Sequence, residues 1–255
     1  HDVQVVAANI DTVFICMSLN NDFNLRRLER YLSIAWDSGA VPVVVLTKAD
    51  LCQDLPERLL EVGRIALGSD VLATSSMTAD GYKDILKYIV PGKTVAFIGS
   101  SGVGKSTLIN RLIGEDLIAT QGLRSDDKGK HTTTRRELLL IPGGGAVIDT
   151  PGMRELGLES ADLSRSFADI DELTNSCRFK DCRHENEPGC AVRQAIEEGL
   201  IDEARLQNYK KLQKEARYES LNSRQIEKEK IDEMFSEFGG IKNARNYAKS
   251  KNKRK

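Results

Sequence analysis

A phosphate-binding motif reads Gly99-Ser100-Ser101-Gly102-Val103-Gly104-Lys105-Ser106-Thr107 and fits the pattern G-x-x-x-x-G-K-[ST] at every fixed position. The apolar residues 94–98 before it predict a buried strand, and residues 108–113 predict the start of a helix. In that setting, backbone N–H groups of the loop and the helix N-terminus bind phosphate oxygens. Lys105 is expected to reach the β- and γ-phosphates, and Ser106 is expected to ligate Mg²⁺. The motif predicts an α/β fold of the P-loop NTPase type.

The composition is that of a globular protein. The 255 residues include 37 basic and 38 acidic side chains, so the overall charge gives no indication of partners. This length suits one or two domains. No apolar run reaches the roughly 18 residues of a membrane helix, and the N-terminus has no signal-peptide pattern. We expect a cytoplasmic monomer with no membrane partner.

A second motif indicates which base is bound. Residues 41–46 predict a buried strand, and Thr47-Lys48-Ala49-Asp50 follows at its carboxyl end, where open α/β sheets bind ligands. A carboxylate there can accept hydrogen bonds from the N1–H and 2-amino groups of guanine, which adenine does not offer. Because GTPases usually carry Asn where Thr47 stands, an ordinary loop is an alternative, but the nearby phosphate motif favours base recognition. Ser75 and Ser76 follow the next predicted strand and are candidates to contact the guanine O6.

Two further motifs are typical of loops that sense the third phosphate. The polar residues 120–134 contain Lys130-His131-Thr132-Thr133-Thr134, from which we select Thr133 as a Mg²⁺ ligand. His131 is either a solvated histidine or a catalytic group, and spacing does not decide between them. Asp149-Thr150-Pro151-Gly152 follows a predicted strand. Asp149 is expected to hold Mg²⁺ through water, and the Gly152 N–H is expected to contact the γ-phosphate.

Met153 stands where Ras-like GTPases carry a glutamine that orients the attacking water. A thioether cannot orient water, so we expect slow hydrolysis unless another group or a partner assists it. This leaves open an alternative function, a nucleotide-dependent RNA-binding switch with little intrinsic hydrolysis. A second alternative is an ATPase of similar fold, which would be favoured if Asp50→Asn left the nucleotide preference unchanged.

A cluster of potential metal ligands lies within residues 177–190. Three of the five cysteines occur there with one histidine, in the order Cys177, Cys182, His184 and Cys190. Three thiolates and one imidazole suit a closed, tetrahedral site for a structural Zn²⁺ ion. The alternative of buried free thiols fits badly with the charged residues between them. We predict one structural zinc ion, whose binding contributes to folding.

The rest of the chain predicts charged helices over residues 202–221 and 224–238. Residues 241–255 contain seven Lys or Arg and no acidic residue. Such a run is either a solvated tail or a set of side chains that neutralises RNA phosphates. The predicted organisation is a GTPase domain over residues 1–160, followed by a small, mostly helical zinc-binding domain over residues 161–255.

The motif order differs from that of ordinary GTPases, because the base-reading motif precedes the phosphate motif; this is a circularly permuted arrangement. With Ala8-Asn9-Ile10-Asp11, the motifs above and the cysteine cluster, the whole chain resembles the small-ribosomal-subunit-dependent GTPase A family. The resemblance implies a hydrolase that converts GTP to GDP and phosphate late in maturation of the small ribosomal subunit. It also implies stimulation by that subunit, contact with its rRNA and a catalytic part for His131. Members usually carry an N-terminal OB-fold, which these 255 residues do not contain.

Overall fold

The computed structural model of the chain describes residues 8–20, 22–75, 81–114, 137–149, 163–219, 221, 223–235 and 239–243. Within these residues, six strands form one sheet in the spatial order β3-β2-β1-β4-β6-β5. The strands are β1 (Thr12–Ser18), β2 (Val41–Thr47), β3 (Asp70–Ala73), β4 (Thr94–Ile98), β5 (Glu137–Leu140) and β6 (Ala146–Asp149). β5 runs antiparallel to β6, and the other neighbouring pairs are parallel. The carboxyl ends of the parallel strands therefore meet at one edge of the sheet.

Four helices accompany this sheet: α1 (Leu25–Asp37), α2 (Leu55–Ile65), α3 (Lys83–Leu86) and α4 (Lys105–Ile113). Alternate residues of β1 enter two different apolar clusters, because successive side chains of a strand point to opposite faces. Val13, Ile15 and Met17 pack with α1 and α2, whereas Phe14 and Cys16 pack with α3 and α4. Both faces of β1 are buried, which explains its continuous apolar sequence.

The sequence predicts a short helix over residues 82–90, and the helix that forms there, α3, is shorter. α3 ends at Leu86, and the amides of residues 87–89 donate to carbonyl groups three residues earlier. Such bonds tighten the chain into 3-10 turns. The turn before β6 packs closely here, since a Cβ on Gly145 would lie 3.0 Å from the carbonyl oxygen of Val90.

Residues from 163 onward form a helical region, which consists of α5 (Ala168–Asn175), α6 (Ala191–Glu197), α7 (Glu203–Glu219) and α8 (Ser223–Met234). The two charged helices that the sequence predicts are confirmed as α7 and α8. The sequence did not predict α5. A separate apolar cluster holds this region together, and its fully buried members include Phe167, Ile170, Val192 and Leu206. Within the described residues, no helix combines the length and apolar character needed to cross a membrane.

Buried polar contacts join the helical region to α1. Glu29 of α1 is fully buried and accepts hydrogen bonds from Arg205 at 2.6 Å and Asn208 at 2.5 Å, both on α7. Arg205, which is 5% exposed, also donates to Asp169 of α5 at 2.8 and 3.0 Å. A buried carboxylate needs such partners, because desolvation of an unpaired charge is costly. α1 therefore contacts the sheet and the helical region at once.

Candidate functional site

Residues 99–107, which we name the phosphate loop, connect β4 to α4 at the carboxyl edge of the sheet. Gly99 has a φ of +144°, and a Cβ there would lie 2.3 Å from the carbonyl oxygen of Cys16. Gly102 and Gly104 also have positive φ values, of +79° and +98°. Residues with side chains rarely adopt this conformation, so glycine is required where the chain turns this tightly. The loop consequently passes close to β1 before α4 begins.

The N-terminus of α4 faces this loop. Gly104 is the N-cap residue, and because glycine has no side chain it makes no capping hydrogen bond to the first N–H groups of the helix. Lys105 is 5% exposed, and its Nζ donates to the carbonyl oxygens of Gly99 and Ser100, both at 2.8 Å. Burial lowers the pKa of Lys105, while the negative charge of nearby Asp149 acts in the opposite direction. A buried ammonium group beside a helix N-terminus is suited to binding an anion such as phosphate.

Asp149 ends β6 and lies beside the phosphate loop. Its register partner on β4 is Phe97, two residues before the loop, and paired strands lie about 4.8 Å apart. Asp149 is fully buried, whereas Ser106, in the first turn of α4, is partly exposed. The two predicted Mg²⁺ residues that the structure describes are thus at the same edge of the sheet. A hydroxyl and a carboxylate are the oxygen ligands that Mg²⁺ prefers.

Residues 47–50, which we name the base loop, follow β2 at this same edge and contact the phosphate loop directly. The Thr47 hydroxyl donates to the carbonyl oxygen of Val103 at 2.5 Å. Thr47 therefore joins the two loops, which is a role that the sequence pattern did not reveal.

Two contacts hold the base loop to the end of β3. The Ser75 hydroxyl donates to Asp50 Oδ1 at 2.5 Å, and the Ala49 N–H donates to the carbonyl oxygen of Thr74 at 3.1 Å. Lys48 adopts the left-handed conformation, with a φ of +58°. Asp50 remains exposed, so its carboxylate is fixed in direction and accessible to a ligand.

The back of the phosphate loop is held by polar side chains that sequence reasoning missed. Arg27 Nη1 donates to Ser100 Oγ at 2.5 Å and to Asp22 Oδ1 at 2.8 Å. The side chain of Tyr31 also hydrogen-bonds to Ser100. These residues belong to no motif. From the sequence alone, a polar residue that bonds to a buried partner cannot be distinguished from one that faces solvent.

The structure brings together every predicted nucleotide-site residue that it describes: Thr47, Lys48, Ala49, Asp50, Ser75, the nine residues of the phosphate loop and Asp149. Four predicted residues lie outside the described residues, namely Ser76, His131, Thr133 and Gly152. Their assigned roles remain predictions from the sequence.

The four predicted metal ligands converge in the helical region. One ligand atom from each of Cys177, Cys182, His184 and Cys190 lies within 4.8 Å of the others. Cys177 Sγ is 3.9 Å from Cys190 Sγ, and His184 Nδ1 is 3.6 Å from Cys177 Sγ and 3.4 Å from Cys190 Sγ. Cys190 also caps the N-terminus of α6. The cluster can hold a metal ion.

Glu187 organises the loop that carries His184. Its carboxylate accepts hydrogen bonds from the backbone N–H groups of Glu185 at 2.8 Å, Arg183 at 2.9 Å and Asn186 at 3.1 Å. The bonds from Glu185 and Arg183 are the main reasons that the pKa of Glu187 falls to about 2. His184 has a φ of +57°, a conformation that side-chain-bearing residues keep only when their surroundings impose it.

Comparisons with known proteins agree with this arrangement. The family model described as RsgA GTPase matches residues 1–159. The small ribosomal subunit biogenesis GTPase RsgA 2 of Lactiplantibacillus plantarum is 57% identical to this chain, over 92% of this chain and 67% of its own length. The crystal structure of YjeQ from Thermotoga maritima has 31% identity and a TM-score of 0.60, and the similarity covers 82% of this chain and 72% of that one. The crystal structure of YloQ, described as a circularly permuted GTPase, has 30% identity and a TM-score of 0.59, with coverage of 84% and 70%.

These similarities confirm the predicted α/β fold with its circularly permuted motif order. The sheet order explains why permutation preserves the site, since the loops meet through strand adjacency in space and not through their order in the sequence. The chain spans about two thirds of the length of the curated relatives that it matches.

Proposed function

This chain belongs to the RsgA GTPase family, and we propose that it is a GTP hydrolase that acts in the biogenesis of the small ribosomal subunit. The observation that carries the proposal is the joining of the base loop to the phosphate loop by Thr47 and Val103. This bond sets a base-reading carboxylate at a defined distance from a phosphate site, as a guanine nucleotide requires. A ribosome-biogenesis role also supports the predicted cytoplasmic location and GTP, GDP and rRNA as partners.

Guanine selection is assigned to Asp50. The Ser75 hydroxyl holds Asp50 Oδ1 and orients the carboxylate toward the exposed side of the base loop. A guanine base offers N1–H and 2-amino donors to such a group, whereas adenine would leave the carboxylate without them. Lys48, Ala49 and Ser76 are assigned to the surroundings of the base.

Phosphate binding is assigned to the phosphate loop and the N-terminus of α4. Lys105 would exchange its two bonds to loop carbonyl oxygens for bonds to the β- and γ-phosphates. Ser106, Thr133 and Asp149 are assigned to Mg²⁺, and Gly152 to the γ-phosphate. The bound ion would neutralise charge on the phosphates while the γ-phosphoryl group is transferred to water and GDP leaves. The family assignment supports Mg²⁺ as the companion of the nucleotide.

The hydrolytic step needs a group that orients water. His131 is our candidate, because Met153 occupies the position after Gly152 and a thioether cannot orient water. The same observation favours the second candidate function, a nucleotide-dependent RNA-binding switch with little intrinsic hydrolysis. His131→Ala distinguishes the two: a hydrolase loses turnover on small ribosomal subunits and keeps its nucleotide affinity, whereas a switch shows no turnover to lose.

We assign the metal cluster to one structural Zn²⁺ ion. With Zn–S bonds of about 2.3 Å and Zn–N bonds of about 2.1 Å, tetrahedral geometry separates two sulfur ligands by about 3.8 Å and sulfur from nitrogen by about 3.6 Å. The separations of 3.9, 3.6 and 3.4 Å fit these values. Desolvation and the neighbouring sulfur atoms raise the pKa of Cys182 to about 11, so a bound cation would favour the thiolate form of this ligand.

Metal analysis of the purified chain tests the zinc assignment. We expect one equivalent of zinc, which Cys190→Ser removes and Cys52→Ser leaves in place, because Cys52 lies far from the cluster in sequence and is not one of its ligands. A zinc content unaffected by Cys190→Ser would contradict the assignment.

Contact with rRNA is assigned to the helical region, which we propose as a second domain after about residue 160. A separate apolar core and the end of the family match at residue 159 support this division. A groove of about 1280 Å³ runs between the metal-site loop, α7 and α8. Its basic lining residues are Arg183, Lys210, Lys214, Arg217 and Lys228.

Salt dependence tests the groove. Neutralising Lys210 and Lys214 together should reduce the slope of log K against log salt by about 0.7 for each lost contact to single-stranded RNA. Lys93, which pairs with Asp11 on the sheet side, supplies the control: Lys93→Gln should leave the slope unchanged. Residues 244–255 lie outside the described residues, and the RNA role of this basic tail rests on its sequence alone.

The experiment that tests the proposed hydrolase is phosphate release from GTP with and without purified small ribosomal subunits. Multiple turnovers on subunits support it, whereas GTP binding without turnover supports the switch. Asp50→Asn provides the specificity control, because its amide can donate to the C2 oxygen of xanthine. We expect this variant to lose GTP preference by about 100-fold or more and to accept XTP. An unchanged preference for GTP would contradict the assignment of guanine selection to Asp50.

A further inference from the structure

The side chains behind the phosphate loop belong to α1, which carries Arg27 and Tyr31, and to Asp22, which precedes that helix. Neither nucleotide motif lies in this part of the chain. Ser100 is 1% exposed, and its hydroxyl accepts a hydrogen bond from Arg27 at 2.5 Å and is also hydrogen-bonded to Tyr31. Arg27 and Tyr31 are four residues apart and therefore lie on one stripe of the helix. Asp22 holds Arg27 in place at 2.8 Å. The Ser100 side chain is thus an anchor directed away from the solvent side of the loop.

A neighbouring stripe of the same helix is attached to α7. Glu29 is fully buried against Arg205, and Arg30 forms a two-bond ion pair with Glu215, in which Nη2 and Oε2 are 2.7 Å apart. Arg26 adds an ion pair with Asp202 at 2.9 Å. Because an α-helix is stiff over a few turns, displacement of one stripe displaces the other. Contacts with α7 therefore help to fix where Arg27 stands relative to Ser100, together with the packing of α1 on the sheet.

We infer that α1 positions the phosphate loop, with Arg27 fixing Ser100 and the ion pairs to α7 fixing α1. The inference rests on the proposed nucleotide binding. Arg27 is a positioning residue, because Ser100 stands between its guanidinium group and the loop backbone. A loop held in its binding conformation loses less conformational entropy when a phosphate binds, so these contacts strengthen nucleotide binding.

A consequence is reciprocal coupling between the nucleotide and the helical region. A ligand that shifts α7 against α1 would change nucleotide affinity, and the nucleotide would change the affinity of that ligand by the same factor. Because the anchor acts on the phosphate loop and not on a group placed at the reacting water, we expect it to change nucleotide dissociation constants and to leave kcat nearly unchanged.

A double-mutant cycle on GDP binding tests the anchor. We expect Arg27→Met and Ser100→Ala each to raise the Kd for fluorescent GDP about tenfold, equivalent to about 1.4 kcal/mol, and the double variant to show no further rise. Arg27→Lys should recover part of the loss. Arg58→Met is the control, because Arg58 makes an ordinary surface pair with Glu61 on α2. A Kd within twofold of wild type, or additive effects in the double variant, would overturn the inference.

A second pair of variants tests the link to α7. Glu215 and Glu229 are 28% and 29% exposed, and each pairs with an arginine, but only Glu215 pairs with α1. Glu215→Gln should raise the GDP Kd about threefold, the effect of a surface ion pair of about 0.6 kcal/mol, and Glu229→Gln should not change it. In the Arg27→Met background, Glu215→Gln should have no effect. An equal effect in both backgrounds, or none in either, would overturn the link.

The proposed function and this inference can fail separately. If the wild-type chain binds no guanine nucleotide, both fall together. If it binds GDP and the variants keep wild-type Kd values, the inference alone is refuted. Circular dichroism and the thermal midpoint of every variant show whether a raised Kd is caused by loss of folded protein. A variant with a raised Kd and a wild-type midpoint supports the positioning of the phosphate loop by α1.

Discussion

Replacement of Arg205 by methionine should destabilise the chain more than loss of any exposed ion pair. Arg205 is 5% exposed and makes four hydrogen bonds, to Glu29, twice to Asp169 and to the carbonyl oxygen of Ser166. Breaking a buried ion pair costs about 3–5 kcal/mol, because the remaining partner is left as an uncompensated buried charge. Glu29 keeps bonds from Arg26 and Asn208, so we expect the lower end, about 3 kcal/mol.

Urea unfolding followed by tryptophan fluorescence measures this loss. Trp36 is the only tryptophan and lies on α1, and the guanidinium carbon of Arg165 stands 5.3 Å from the centre of its ring. The fluorescence therefore reports the contact between α1 and the helical region. Arg217→Met provides the control, since Arg217 is 68% exposed and its pair with Glu229 should be worth about 0–1 kcal/mol.

A second substitution distinguishes a buried-charge effect from simple loss of packing. In the Arg205→Met background, Glu29→Gln should cost less free energy of unfolding than it does in the wild-type chain, because only Arg26 and Asn208 still bond to the buried carboxylate. The reasoning would be refuted if Arg205→Met cost less than about 1 kcal/mol or if Glu29→Gln cost as much in that variant as in the wild-type chain.

Three other predictions follow from single sites. Glu187→Ala should speed zinc loss to a chelator about tenfold, because it frees the loop that carries His184, whereas Glu185→Ala should not, since only the backbone of Glu185 is bonded there. Gly99→Ala should abolish nucleotide binding, as its Cβ would lie 2.3 Å from a backbone oxygen of Cys16; retained binding of labelled GDP would contradict this. Burial raises the pKa of Cys16 from 9.0 to about 12, so the folded chain keeps the thiol protonated at a pH where the unfolded chain loses the proton. The free energy of unfolding is therefore unaffected below pH 9 and falls as the pH rises toward 12. Cys16→Ala should flatten the measured stability over that alkaline range.

The fold was predictable where an element is buried so completely that its sequence is apolar along its whole length. β1, β2 and β4 are buried on both faces, and their continuous apolar sequences indicate strands directly. α5 was missed because it is eight residues long and Ile170 is its only fully buried side chain, so its sequence is mostly polar. The helix predicted over residues 82–90 was too long, because the structure's helix ends at Leu86 and the next three residues form 3-10 turns.

The ligand chemistry of the site was also readable from the sequence. Binding of phosphate by Gly99 to Thr107 needs glycines, one lysine and one hydroxyl within nine residues, so the requirement is local. The metal ligands, from Cys177 to Cys190, are likewise close in the chain, and the structure brings them within 4.8 Å of one another. When the residues that bind one ligand lie close together in the chain, their types and spacing form a motif that can be recognised without a structure.

Only the tertiary structure decided which polar residues hold these motifs in place. Thr47 is 56 residues from Val103, Arg27 is 73 residues from Ser100, and Glu29 is 176 residues from Arg205. Each pair forms because strand order and helix packing bring distant parts of the chain together, and such long-range contacts leave no spacing pattern in the sequence. An arginine or glutamate on a helix has the same sequence signature whether it faces water or a buried partner. The sequence therefore determined the motifs, and tertiary packing determined how they are joined.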